Sequence, residues 1–244
     1  MKIINIDSFI DFHKTIENYS TSNFIYRGQK NFNWKLIPKI GRPDYSENVP
    51  KYIKEKVIIS SWMRYAGHLL PIQPVDQWDE LTLAQHHGLA TRLLDWTKNP
   101  LVALYFATYD SNENQDASVY IMDFKNRLLM TNDFGPFCPE TSVSGIFFPK
   151  GISARVINQR GVFSISNNPK MSLDELLKQN TFIKLRIKGS SKKSILRNLE
   201  QYGINEFSIY QDLDNLSNYL NRFVINKAFD QLNDNQNENF DQSF

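Results

Sequence analysis

Gln85, His86, His87, Thr91, Arg92, Asp95 and Thr97 crowd one short stretch, interleaved with Leu93, Leu94 and Trp96. Polar groups packed among large apolar ones need partners, and each costs on the order of a few kcal/mol without one. The stretch is therefore a satisfied internal polar network or the lining of a site, and the residues alone leave both open. Arg92 and Asp95, three apart, can pair with each other; Asp95 can equally accept backbone N–H groups and organise the loop. Thr97 and Asn99 suit the start of a helix at Pro100. His86 and His87 do not spell a metal site. Neighbouring histidines on a helix point about 100° apart, and His13 and His68 are the only others, so no metal is expected.

A second group surrounds Arg27. Tyr26-Arg27-Gly28-Gln29 closes a strand-like run, and Gly28 admits a ligand or another backbone at close range. A permanently charged, planar donor at a strand end suits a phosphate or a carboxylate. The plainer reading pairs Arg27 with a structural carboxylate such as Asp95. Asn158-Gln159-Arg160-Gly161 has turn chemistry, and Gln159 can still face a pocket. Lys184, Arg186, Lys188, Lys192, Lys193 and Arg197 form the most basic patch, read as a solvated strand face and helix start. There is no phosphate-binding Gly-rich loop, no dinucleotide Gly motif, no nucleophile elbow and no paired-carboxylate motif, so kinase, Rossmann and hydrolase readings recede.

The elements that position these groups alternate between helix and strand. Asp7-Ser8 caps a helix to about Glu17, and Phe24–Arg27 reads as a strand ended by Gly28. Pro50 opens a helix to about His68. Asp76 caps another to about His87, stopped by Gly88, and Leu101–Tyr109 forms a buried helix. Strands follow at Ser118–Phe124, Gly145–Phe148, Gly161–Ile165 and Thr181–Lys188. Ser172 with Glu175 spells a capping box for a short helix to Lys178. A helix runs from about Ser191 to Tyr202 with Gly203 beyond it, then a strand at Glu206–Tyr210. Leu213, Leu216, Leu220, Phe223 and Val224 give a closing amphipathic helix. No βαβ rhythm appears, so the fold class is α+β: one domain over residues 1–229, with a small bent sheet and flanking helices. Residues 230–244 hold four acids and no base and read as a disordered polar tail.

Removing that tail from a net charge of +2 leaves the rest at +6, too little to argue for nucleic acid. One cysteine, Cys138, allows no internal disulfide, and no leader or long apolar run is present. A cytoplasmic, membrane-free protein is expected.

Phe24-Ile-Tyr-Arg-Gly-Gln29, Gln85-His-His-Gly-Leu-Ala-Thr-Arg-Leu-Leu-Asp-Trp-Thr97, Asn99-Pro-Leu-Val-Ala-Leu-Tyr-Phe-Ala107 and Asn158-Gln-Arg-Gly-Val-Phe163 together resemble the FRG domain family of bacteria and phages. Ala90 stands where that family commonly has Pro, and Gln211 where it often has another. The motif order is similar to a distant ADP-ribosyltransferase fold. That resemblance implies NAD as cofactor, a macromolecular acceptor or a regulatory protein partner, and a toxin or phage-defence setting. It implies catalytic roles for Arg27, Thr91 and Glu206, with Gln159 or Asp95 as alternatives to Glu206 near the ribose. It also implies ligand contacts from Tyr26, Arg27, Gln29, Gln85, His86, Arg92, Asp95, Thr97 and Gln159. The second expectation is a non-catalytic module that binds a nucleotide or a protein.

Overall fold

The computed structural model describes residues 1–48, 54–70, 72–109, 112–131, 134–137, 144–150, 157–177 and 182–222. Seven strands form one sheet: β1 (Lys2–Ile6), β2 (Phe24–Gln29), β3 (Leu93–Thr97), β4 (Ala117–Asp123), β5 (Gly145–Phe147), β6 (Gly161–Ile165) and β7 (Phe182–Ile187). Their order is β1-β7-β4-β2-β3-β6-β5. β1 and β7 run parallel, and the other ladders are antiparallel. The helices are α1 (Phe9–Glu17), α2 (Pro43–Ser46), α3 (Glu55–Ala66), α4 (Gln77–His86), α5 (Pro100–Thr108), α6 (Leu173–Leu176), α7 (Lys192–Gln201) and α8 (Glu206–Tyr210). Residues 213–222 are also helical. The chain is α+β, as its mixed order of elements predicts.

Period-2 alternation sends successive side chains to opposite faces of the sheet. On one face Tyr26, Val119, Ile121, Leu185 and Ile187 pack beneath α1, α5 and α7 through Phe12, Leu104 and Ile195. Farther along that face Leu93, Phe163 and Ile165 pack beneath α3 and α4 through Ile59, Leu81 and Ala84. On the other face Ile25, Leu94, Trp96, Tyr120, Met122 and Phe182 are covered by Leu36, Leu173 and Leu177. On the first face α5 thus packs on β2, and α4 belongs to the cluster that covers Leu93 of β3.

Local signals set most element ends. Ser8 accepts from Asp11 N, Asp76 from Asp79 N and Asn99 from Leu101 N, each satisfying an otherwise orphaned N–H. Gly88 and Gly203 take left-handed φ of 85° and 73° just past α4 and α7. β1 and β3 are strands that the residue pattern did not mark.

Three expectations need correction. Glu206–Tyr210 is a helix, because Asn205 and Ser208 form a reciprocal capping box that outweighs the β-leaning Phe207, Ile209 and Tyr210. The capping box expected at Ser172 does not form. Its hydroxyl donates to Asp174 and accepts Leu36 N instead, stitching α6 to the chain after β2. The basic patch is not uniformly solvated. Lys184 is buried, with Nζ donating to Phe32 O and lying 4.2 Å from the Phe32 ring centroid. Lys192 is also buried, its ammonium donating to the carbonyls of Asn112 and Lys30, and burial pulls its pKa down.

Pro50, Lys178, Phe223, Val224 and the tail at 230–244 lie outside the described residues. Among the described residues no helix is long and apolar enough to cross a membrane.

Candidate functional site

The sheet opens at its centre. β2 and β3 share one aligned pair, Tyr26 with Thr97. A continuing antiparallel ladder would set Gly28 against Asp95, but the strands part there. β2 stays paired to β4 through Gln29, and β3 to β6 through Leu93. Bonds from Lys98 N to Arg160 O and from Ser166 N to Arg92 O fix which groups of β3 face β6. By alternation the Asp95 peptide turns toward β2. Its carbonyl meets no strand there and accepts Arg27 Nη1 at 2.6 Å instead. One side chain replaces the missing ladder.

A cavity of about 540 Å³ occupies the split, within the usual range for small-molecule and cofactor sites. α4 supplies Gln85 and His86, α5 supplies Ala103 and Phe106, and β3 supplies Asp95 to Thr97. Arg27 and Gln29 enter from β2, Lys30, Trp34 and Arg42 from the chain after it, and Gln159 from the turn before β6. Among the described residues that line it, Arg27, Lys30 and Arg42 are cationic and Asp95 is a carboxylate. The Arg27 side chain is only 14% exposed. Desolvation pulls its pKa down, Asp95 opposes this, and the like charge of Arg42 adds to the fall.

Several polar atoms at this site have no partner. Arg27 Nε, Gln29 Oε1 and Gln159 Nε2 are buried and make no hydrogen bond. Native interiors leave few such groups, so three around one cavity mark where a polar ligand or water would bind. Asp95 is half-exposed. Its Oδ2 accepts Gln85 Nε2 at 2.9 Å and lies 3.7 Å from Arg27 Nη1. The two readings of the motif stretch are therefore both realised: it is a satisfied network and it lines a cavity.

Other expected site residues hold different posts. Tyr26 lines the cavity with its ring, but its hydroxyl donates away to Tyr19 O. Thr97 donates to Gln159 O and accepts Asn99 N at 2.9 Å, joining the turn before β6 to the start of α5. Thr91 is 0% exposed and lies outside the cavity wall. His86 packs edge-on to His87, with ring centroids 4.8 Å apart.

Arg92 does not pair with Asp95. Its Nε meets Glu55 Oε2 at 2.6 Å and its backbone N donates to Glu55 Oε1 at 2.7 Å. Arg92 lies before β3 and is taken by Glu55 of α3, whereas Asp95 within β3 meets Gln85 and Arg27, and these partners override the i,i+3 spacing. Burial pushes the Glu55 carboxyl up, and Arg92 pulls against it. Arg92→Ala is expected to cost about 3 kcal/mol at neutral pH. The low end of the range applies because Arg92 keeps 22% exposure. Without Arg92 the carboxyl rises further. A raised acid pKa gives stability that is complete below the unfolded value and lost as pH rises through the folded one. The deficit should therefore be small in acid and grow toward neutral pH in paired urea melts.

Glu206 is not part of the cavity wall. It is buried in α8, accepting Tyr109 OH at 2.9 Å and paired with Arg222. Arg222 also lies over the Tyr109 ring, 4.8 Å from its centroid. The carboxylate thus ties the helical residues 213–222 to the end of α5, and among the described residues Asp95 is the carboxylate that lines the cavity.

The residues unmarked in sequence were Lys30, Trp34, Arg42 and Phe106. Arg42 had a signal of the same kind as Arg27, a neighbouring glycine. A Cβ on Gly41 would lie 1.7 Å from Pro169 O, so Gly41 allows the backbone contact that holds Arg42 at the cleft.

Comparison with known proteins adds one likeness. Residues 22–116 match the family model described as FRG domain. That span contains Arg27, Arg42 and the whole Gln85–Thr97 stretch, and it ends before Gln159 and Glu206. No curated protein and no solved structure matches.

Proposed function

We propose that this chain, which belongs to the FRG domain family, binds NAD in the split between β2 and β3 and transfers its ADP-ribosyl group to a macromolecule. The observation that carries the reading is the composition of the split: among the described residues, two guanidinium groups, Arg27 and Arg42, share it with the Asp95 carboxylate and the aromatic side chains Trp34 and Phe106. The guanidinium groups of Arg27 and Arg42 suit the oxygens of a diphosphate. Trp34, 51% exposed at the mouth, offers an indole face for a base. Arg27 Nε and Gln159 Nε2 are unused donors and Gln29 Oε1 an unused acceptor, which suits the hydroxyls and amide of a dinucleotide.

Bound NAD would supply a ribose carbon whose bond to nicotinamide breaks with its electron pair leaving on nicotinamide. An acceptor nucleophile takes that carbon and gives up a proton. The protein's part is placement and charge. Arg27 and Arg42 hold the phosphates, and Asp95 sets a negative charge beside the positive charge that develops on the ribose. A toxin or phage-defence role is the setting implied by the family resemblance.

Purified protein incubated with NAD and cell extract tests this, beside Asp95→Asn. Wild type should release nicotinamide. Asp95→Asn should bind NAD within a few-fold of wild type and turn over roughly a hundredfold to a thousandfold more slowly, the loss expected when an electrostatic stabiliser is removed. Asp95 Oδ2 is already held by Gln85 and Arg27, which favours a second reading, a non-catalytic nucleotide-binding module. NAD binding by calorimetry without nicotinamide release would select it. Absence of NAD binding would sink the first reading.

A further inference from the structure

Thr91 is fully buried and touches no part of the cavity, yet its hydroxyl sits at the head of a directed chain of hydrogen bonds that ends in the cavity. Thr91 Oγ1 accepts Leu93 N–H at 3.1 Å. Its single proton is therefore free to point to the other neighbour, Gln85 Oε1, 2.5 Å away. A hydroxyl donating to the carbonyl oxygen of Gln85 fixes which way that amide faces. Its Nε2 then points outward and donates to Asp95 Oδ2 at 2.9 Å. The reversed amide would set Oε1 against an ionised carboxylate, two acceptors facing each other. Both ends of the chain select the same orientation. The Arg27 contact also falls on Oδ2. Asp95 Oδ1 makes no hydrogen bond among the described residues.

We infer that Thr91, acting through Gln85, is a positioning residue that locks the Asp95 carboxylate with Oδ2 engaged and Oδ1 presented to the ligand. The inference deepens the NAD reading, on which its kinetic part rests, and corrects the expectation that Thr91 itself meets the ligand. The geometry is built from a backbone N–H outward. Leu93 belongs to β3, two residues from Asp95, so the strand that carries the carboxylate also carries the anchor of its restraint. α4 contributes only the middle link. A shift of α4 relative to β3 would release Oδ2, so the chain also couples the position of α4 to the state of the cleft.

The experiment compares Thr91→Val, Thr91→Ser and Gln85→Met. Two quantities are read: the side-chain amide signals of Gln85 in a proton–nitrogen NMR spectrum of the ligand-free protein, and kcat and KM for NAD consumption. Gln85→Met assigns the amide signals by their loss and leaves the Thr91–Leu93 turn intact. Thr91→Val keeps shape and removes the donor. It should move the Gln85 amide signals to the positions of a freely solvated glutamine. It should lower kcat roughly tenfold to a hundredfold, as misplacing a reacting group does, with KM changed little. Thr91→Ser restores the hydroxyl and should restore both readouts. A Thr91→Val protein with unmoved amide signals, or equal kcat in the Val and Ser variants, overturns the inference. If Thr91→Val fails to fold, Gln85→Met must show the same kcat loss, and wild-type kcat there overturns it. If wild type consumes no NAD, the functional reading fails on its own, and the amide signals still decide whether the relay exists.

Discussion

Arg27→Ala should weaken NAD binding by roughly a hundredfold or more, the scale of a lost charge-assisted contact. The fold should survive. Arg27 makes one hydrogen bond to backbone, Nη1 to Asp95 O, and a looser approach to the Asp95 carboxylate at 3.7 Å. Losing one such bond costs about 1–2 kcal/mol, which in a chain of this size lowers Tm by roughly 2–6 °C. The sheet is held at this point by the β2–β4 and β3–β6 ladders, which do not use Arg27. Arg27→Lys sharpens the test. It keeps the charge and loses the planar fork, so it should recover little of the affinity. A fall in Tm well beyond that range, with NAD binding intact, would make Arg27 a structural strut. Calorimetry and thermal melts on the same preparations decide.

Why was Arg27 legible while its setting was not? A charged residue at the end of an apolar run, followed by glycine, is a local pattern. What Arg27 does with that position depends on β3, far along the chain, and β3 was hard to see. Leu93-Leu94-Asp95-Trp96-Thr97 is buried on both sides except at Asp95, so it shows no clean alternation of polar and apolar residues. The polar and apolar residues of the stretch therefore suggest an internal network or the lining of a site without showing a strand, and the split between β2 and β3 stays hidden. The spacing of Arg92 and Asp95 allows them to pair, but Glu55, far away in the chain on α3, takes Arg92 instead. Glu206 was placed on a strand by its β-leaning neighbours, whereas two short polar residues, Asn205 and Ser208, made it a helix. Helix caps were the most legible feature because they are satisfied within a few residues. Ser8, Asp76, Asn99, Gly88 and Gly203 all act where the chain predicts. Lys184 and Lys192 show the opposite case. Nothing local distinguishes a lysine that donates to buried carbonyls from one in water. The difference lies in loops around Phe32 and Asn112 that fold over them.

Gly28→Ala should be the most damaging single substitution near the cleft, and the damage should fall on the fold before it reaches any ligand. Glycine at this position admits either a ligand or another backbone, and the structure supplies a backbone. An added Cβ would stand 1.9 Å from Ala103 O and 2.7 Å from Ala107 N, the i,i+4 pair of α5. These are main-chain atoms within a helix, so no side-chain rotation can relieve the clash. Ala103 and Ala107 are themselves fully buried and small, which lets α5 lie directly against β2. To admit one methyl, α5 must lift away from the sheet and take Leu104 and Tyr105 with it, opening the core beneath α1 and α7. Overpacking of this kind costs at least about 3 kcal/mol when backbone must move, a large part of the stability of an ordinary domain. Gly88→Ala is the internal control. Gly88 has φ of +85° but open space around its Cβ position, so its alanine variant meets only backbone strain of about 1–2 kcal/mol. Urea melts of the ligand-free proteins should therefore rank Gly28→Ala well below Gly88→Ala. If Gly28→Ala instead melts with wild type and loses only NAD binding, then the ligand, and not α5, is what requires glycine at this point of the strand.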